Sequence, residues 1–296
     1  MVWDEHASTW TVSTAKGTYV ADVVIASTGS LVEAKPANIK GAESPTGAHF
    51  NSSQWDHQQS LEGKNVAAIG SGASAIQSVP EVAKQAARID AYQRTPNWII
   101  PRPDKAIVPR QQWLLANVRL YQQFKRFVTY LTNESRILGI VISPSFLTGF
   151  RFIAERHLYK QVADPALRAA MLPNYAIGCK RILISNDWYP AICRDNVDLI
   201  TNGIEGIRPN SIVTVDGTER EIDAIVWGTG FYATENPIAE KIVGMQGVKL
   251  SEAWANGEYA YKGTAVSGFP NLFFIVRPNI TLGQTSMVLM TEAQII

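Results

Sequence analysis

Apolar and polar positions along the 296-residue chain fall into a few distinct rhythms. Val66-Ala67-Ala68-Ile69 is an unbroken apolar run of strand length, and Ile89-Asp90-Ala91-Tyr92-Gln93 alternates as a second strand. Between them, past Gly70-Ser71-Gly72-Ala73-Ser74-Ala75, the residues Ala, Ile and Val recur at helical spacing. Pro80 falls inside that helix and removes one backbone hydrogen bond, so a kink or break is expected near Val79. From about Gln111 to Leu172 the spacing is helical again (Trp113, Leu114, Val118, Leu120, Tyr121, Phe124, Phe127). Breaks are expected near Pro144 and Pro165, with the aromatic residues of this region in the core. Residues 35–60, opening KPANIKGAESPTG, read as linker, and Pro101-Arg102-Pro103 interrupts regular structure.

A longer pattern occurs twice. Thr9–Ser13 and Thr18–Ala21 read as strands about a turn at Ala15-Lys16-Gly17, and Asp22-Val23-Val24-Ile25-Ala26 follows as a buried-type strand ending in Ser27-Thr28-Gly29. Ile212–Val215, the turn Asp216-Gly217 and the strand Asp223-Ala224-Ile225-Val226-Trp227, ending in Gly228-Thr229-Gly230, repeat that order. A polar hairpin feeding D-x-[VI]-[IV]-x-x-T-G twice is an internal repeat. The second copy belongs with the glycine turn at Gly70. The first has no such turn ahead of it, so an N-terminal portion carrying another strand–turn–helix unit is expected to lie outside this chain.

Strand, glycine-rich turn, helix and strand is the order of a dinucleotide-binding βαβ unit. In G-x-G-x-x-A, Gly70 allows the tight turn and Gly72 lets a pyrophosphate approach the backbone. Small Ala75 lets the helix pack close to the strand, and the helix N-terminus offers N–H groups to phosphate. An acidic residue at the end of the second strand would hold a ribose hydroxyl, whereas an arginine suits a 2′-phosphate. Asp90 lies near the start of that strand, while Gln93, Arg94 and Thr95 occupy its C-terminal edge, so NADP is favoured over NAD.

Composition narrows the class without changing this picture. With 46% hydrophobic and 18% charged residues the chain is an ordinary globular protein. A net charge of +1 gives no reason to expect nucleic acid or an anionic membrane as partner. Two cysteines, Cys179 and Cys193, do not make a disulfide framework and match no common zinc or redox spacing, which suggests a reducing, cytoplasmic setting. The start, MVWDEHASTW, is unlike a signal peptide, and the most apolar stretch, Ile137 to Phe150, is too short to span a bilayer.

GSGASAIQSVPEVA followed by YQRTPNW resembles the NADPH-binding half of class B flavoprotein monooxygenases, in particular the Baeyer–Villiger monooxygenases. GAESPTGAHFNSSQWD, IGCKRILISNDWYP and WGTGFYATE with SGFPNLFFIVRPNITLGQTSMV agree with it. The resemblance implies an α/β protein of two Rossmann-like dinucleotide-binding domains, with an incomplete FAD domain split around the NADP domain. Residues 1–40 and 226–296 would then belong to the FAD-binding domain, and 41–225 to the NADP-binding domain with a helical insertion at about 105–175. It implies FAD and NADP as cofactors, O2 as co-substrate, and a ketone or a soft nitrogen or sulfur centre as the group oxygenated through a flavin C4a-peroxide. Gly70, Ser71, Gly72, Ser74, Ala75 and Gln77 would form the pyrophosphate loop, and Arg94, Thr95 and Lys180 would hold the 2′-phosphate. Arg181 corresponds to the family's active-site arginine, and Gly29 and Asn279 join the cofactor-binding set.

The chain departs from the family fingerprint F-x-G-x-x-x-H-x-x-x-W-[PD]. Gly47, Trp55 and Asp56 match, but Pro45 stands for the Phe and Asn51 for the His, with His49 two positions out of register. The usual Gly-Pro-Asn appears as Arg277-Pro278-Asn279. Two alternatives stay open: a flavin disulfide reductase, which needs closely spaced redox cysteines, and a NADP-binding remnant or regulatory module without FAD.

Overall fold

The computed structural model describes residues 1–29, 31–104, 106–137, 147–232, 237–276, 278 and 287–295. It divides into two compact units, Met1–Lys35 with Gly230–Ile296, and Pro36–Thr229.

In the first unit, β1 (Val2–Asp4), β2 (Thr9–Thr14) and β3 (Gly17–Ala21) form an antiparallel sheet in that order. β4 (Val24–Ala26) pairs in parallel with β15 (Leu272–Phe274). Trp10 is fully enclosed among Phe274, Leu272, Trp254 and Leu250, and its indole N–H donates to the Pro270 carbonyl at 2.8 Å. The short α7 (Leu250–Ala253) and α8 (Met287–Ile295) complete the unit. The apolar run at 22–26 predicts a buried strand, yet Val23 and Ile25 are more than half exposed. Only one face of β4 has packing partners among the described residues, and alternate side chains point away from it.

The second unit is built on a parallel sheet. β5 (Ala48–Asn51), β6 (Asn65–Ile69), β7 (Arg88–Tyr92), β10 (Val197–Ile200) and β14 (Ala224–Trp227) pair in the order β10-β7-β6-β14-β5. Both faces of the central strands are covered. Val66 and Ala68 of β6 face α1 (Ala75–Val82) and α6 (Trp188–Ile192), with Ile76, Val79 and Trp188 in one core. Ala67 and Ile69 face the other way, against Ile207, Ile212 and Ile222. Those belong to or flank an antiparallel sheet of β11 (Ile204–Arg208), β12 (Ser211–Thr214) and β13 (Glu219–Glu221). Each fully buried aliphatic side chain contributes roughly 1.5–3 kcal/mol, which is why these strands read as continuous apolar runs.

A charged cluster ties the two sheets together. Asp90, in the middle of β7 and 1% exposed, accepts from Arg88 Nη2 at 3.2 Å and Arg220 Nη1 at 2.8 Å. Arg220 also reaches Asp198 at 2.8 Å. Burial alone would lower the Arg220 pKa, but the Asp198 and Asp90 carboxylates together raise it, so the guanidinium stays charged.

Several sequence expectations change here. The 35–60 linker contains β5, an edge strand whose short, half-polar sequence carries little signal until β14 pairs with it. The first helix runs through Pro80 and ends at Val82 rather than breaking near Val79, because a single lost hydrogen bond in so short a helix is outweighed by the burial of Ile76, Val79, Pro80 and Val82. The helical region contains α2 (Pro109–Asn117), α3 (Arg119–Ile137), α4 (Thr148–Gln161) and α5 (Pro165–Met171). Pro165 starts α5 instead of merely breaking a helix: it sits behind the Asp164 cap, whose carboxylate accepts from the Ala166 and Leu167 N–H groups. Pro144 lies outside the described residues. The aromatic residues of α2 and α3 are not core: Trp113, Phe124 and Phe127 are each at least 60% exposed. The core positions go instead to α4, through Ala154, His157 and Leu158. Among the described residues no helix is long and apolar enough to cross a membrane.

Candidate functional site

The strand order reverses beside β6. From β6 the chain moves through α1 to β7 and β10 on one side, while β14 arrives on the other. A parallel sheet opens a crevice at the carboxyl ends of the strands at such a switch point. Here those ends are Ile69-Gly70 and Trp227-Gly228.

Gly70 has φ +122°, and a Cβ there would lie 2.3 Å from the Gly228 carbonyl oxygen. Its N–H donates to the Tyr92 carbonyl at 3.1 Å, and the Gly228 N–H donates to the Ile69 carbonyl at 2.8 Å. A Cβ on Gly228 would in turn stand 3.6 Å from the Ala75 side chain. The first glycine of the turn, the small residue that begins the helix and the first glycine of the Gly-Thr-Gly ending therefore interlock. Gly72 differs: a Cβ there would meet nothing within 4 Å among the described residues. Ser74 occupies the N-cap of α1 but makes no side-chain cap, and the first turn carries no acidic residue. The positive end of this helix is thus left for a partner of opposite charge.

The turn is stitched to the segment leaving β7. Ser71 Oγ donates to the Thr95 carbonyl at 2.9 Å, and Asn97 Nδ2 donates to the Ser71 carbonyl at 2.7 Å. Gln77 Nε2 reaches back to the Ala73 carbonyl at 2.7 Å. Of the three residues at the strand end, Gln93 is buried and committed, its amide donating to the Ala170 carbonyl at 3.1 Å. Arg94 is exposed and Thr95 half-buried.

Lys180 is distant in sequence from this turn. A two-stranded parallel pair, β8 (Ile99–Ile100) with β9 (Leu183–Ile184), aligns the segment before β8 with the segment before β9. The Leu183 N–H donates to the Trp98 carbonyl at 2.9 Å. The Lys180 ammonium sits 4.8 Å over the Tyr175 ring, and the Tyr175 hydroxyl donates to the Pro96 carbonyl at 3.2 Å. Lys180 and Arg181 are both exposed. Hydrogen bonds and the ring contact thus link Ser71, Thr95, Asn97, Tyr175 and Lys180 in the second unit; Gly70, Gly72, Ser74, Ala75 and Gln77 lie along the same turn and helix, Arg94 precedes Thr95, and Arg181 follows Lys180. Gly29, at φ +67°, follows β4 in the first unit. Asn279 and Arg277 lie outside the described residues.

The fingerprint positions have local explanations. Gly47 must be glycine because a Cβ would lie 2.2 Å from the Asp223 carbonyl oxygen. Trp55 packs edge-on against Phe50 at 4.8 Å. Pro45 is buried. Asn51 ends β5, its side-chain amide oxygen accepting from the Ser53 N–H and hydroxyl, while exposed His49 lies against the Gly47 carbonyl. The residues that sequence reasoning missed are Asn97 and Tyr175. Asn97 stands in the RTPNW stretch, but its partner Tyr175 is 78 positions away, and only tertiary pairing joins them.

A parallel sheet with a glycine turn at its switch point, backed by an antiparallel sheet, defines a Rossmann-type α/β domain. The comparisons sharpen that class. Residues 3–136, under half of the chain, match the family described as pyridine nucleotide-disulphide oxidoreductase. Both cysteines here are free thiols. Over its full length the chain is 45% identical to a Baeyer–Villiger monooxygenase of Pseudomonas aeruginosa and 41% identical to one of Streptomyces coelicolor. It spans 56% and 57% of those two proteins, little more than half their length. A solved steroid monooxygenase bound to NADP superimposes with a TM-score of 0.79 at 28% identity, over 99% of this chain and 64% of its own. The chain is a relative of the Baeyer–Villiger flavoprotein monooxygenases, as its motifs imply.

Proposed function

We propose that the 36–229 unit binds NADP(H), and that the protein serves an FAD-dependent oxygenation. One atom of O2 enters a ketone, giving an ester, or a soft nitrogen or sulfur centre; the other leaves as water, with two electrons supplied by NADPH. The carrying observation is the open glycine at position 72, at the head of an uncapped helix where the strand order reverses. A pyrophosphate would take hydrogen bonds from the N–H groups of that first turn. Arg94 would grip the 2′-phosphate with its fork, Lys180 would add a point charge, and Thr95 would close the set. Arg181 would place a fixed positive charge beside the reacting carbonyl, where negative charge develops on oxygen.

Bound flavin supplies the redox chemistry between nicotinamide and O2. The motif resemblance supports FAD as that flavin, with Gly29 of the first unit in the cofactor-binding set. A second reading is a NADP-binding module without flavin. The absorption spectrum of the purified protein separates them: a yellow protein supports the oxygenase, and a colourless one that still binds NADPH supports the module. A reducing, cytoplasmic setting is supported by the two free thiols.

Fluorescence titration tests the cofactor. NADPH is expected to bind at least about tenfold tighter than NADH, the scale of one charge-assisted contact. Arg94→Ala should remove most of that preference; equal affinities in the unaltered protein would overturn the assignment. In a flavin-loaded preparation, Arg181→Ala should leave flavin reduction intact and abolish oxygenation, and unchanged product formation would exclude its role.

A further inference from the structure

We propose that Tyr175 is a positioning residue for NADP selectivity, seating Lys180 against the phosphate turn; this rests on the NADP(H) reading above. Tyr175 is held from three directions. Its hydroxyl donates to the Pro96 carbonyl at 3.2 Å and lies 3.5 Å from Asn97 Oδ1. Its own carbonyl accepts from the Trp98 indole N–H at 2.9 Å. Its ring face carries the Lys180 ammonium at 4.8 Å.

The same Asn97 donates to the Ser71 carbonyl, so the turn, the exit of β7 and Lys180 share one short chain of contacts. A lysine on four methylenes is a poorly fixed charge, whereas a ring face confines it. Burial raises the Tyr175 phenol above its ordinary value, so it remains an O–H donor at neutral pH. The two halves of the side chain therefore do different work: the hydroxyl latches the turn, which both nicotinamide cofactors would use, and the ring holds the cation, which only the phosphorylated one needs.

Substitution separates these roles by binding alone, without catalysis. Tyr175→Phe keeps the ring and should weaken NADPH and NADH by the same small factor, about twofold to threefold. Tyr175→Leu should lower NADPH affinity about fivefold more than NADH affinity, and combining it with Lys180→Ala should cost only the hydroxyl's twofold to threefold, equally for both cofactors, beyond Lys180→Ala alone. An unchanged far-ultraviolet circular dichroism spectrum and urea midpoint would show that the fold persists, and Tyr175→Met serves where the leucine variant does not fold. Equal losses of both cofactors in the leucine or methionine variant, or additive losses with Lys180→Ala, would overturn the inference while leaving NADP binding intact. An unaltered protein that does not prefer NADPH would instead sink the underlying assignment, and this inference with it.

Discussion

Gly70 and Gly72 stand two residues apart in one turn and are glycine for different reasons. At Gly70 a side chain would strike the backbone of Gly228 and would have to adopt φ +122°. At Gly72 it would enter empty space, which matters only once a ligand is there. Gly70→Ala should therefore destabilise the protein by more than about 2 kcal/mol in urea denaturation. Gly72→Ala should change stability by no more than about 0.5 kcal/mol and still lower NADPH affinity roughly tenfold. A third residue carries an opposite expectation. The Tyr92 hydroxyl is buried without a hydrogen-bond partner among the described residues, so Tyr92→Phe should stabilise by about 1 kcal/mol, measured the same way.

Among the elements, β7 does two jobs at its two ends. Its C-terminal end feeds Arg94 and Thr95 towards the turn, while its middle carries Asp90 into the cluster with Arg88, Arg220 and Asp198. A ribose-binding role for Asp90 is thereby closed, because its carboxylate is spent holding the antiparallel sheet against the parallel one. Asp90→Ala removes the carboxylate shared by Arg88 and Arg220, which keep the Glu221 carbonyl and Asp198 respectively, and should cost about 1–3 kcal/mol, read from the urea midpoint, with the NADPH-to-NADH preference unchanged. The helical elements were less legible than β7. Helical spacing on α3 correctly gives a helix, but spacing reports only that one face is apolar, and Phe124 and Phe127 are on a face left exposed.

For the molecule as a whole, the buried tyrosines set an alkaline limit. Burial raises the phenols of Tyr92 and Tyr189 above their ordinary range, with Asp90 adding to the effect at Tyr92. The folded state thus holds these protons more tightly than the unfolded chain. Their contribution is complete below the unfolded tyrosine value of about 10 and is lost as pH climbs from there towards the raised folded values. Unfolding free energy should fall by about 1.4 kcal/mol per pH unit for each tyrosine above about pH 10. Denaturation curves at pH 8 and 11 check this, and Tyr189→Phe should flatten the slope. By itself the sequence determined the βαβ core, the glycine turn and the repeated hairpins, because apolar runs, helical spacing and glycine are local signals of strand, helix and turn. Only the tertiary structure decided that β5 is a strand, that Gly70 answers to Gly228, and that Tyr175 and Asn97 link Lys180 to the turn. Those depend on pairings between distant segments, where backbone contact rather than any local pattern selects the residue.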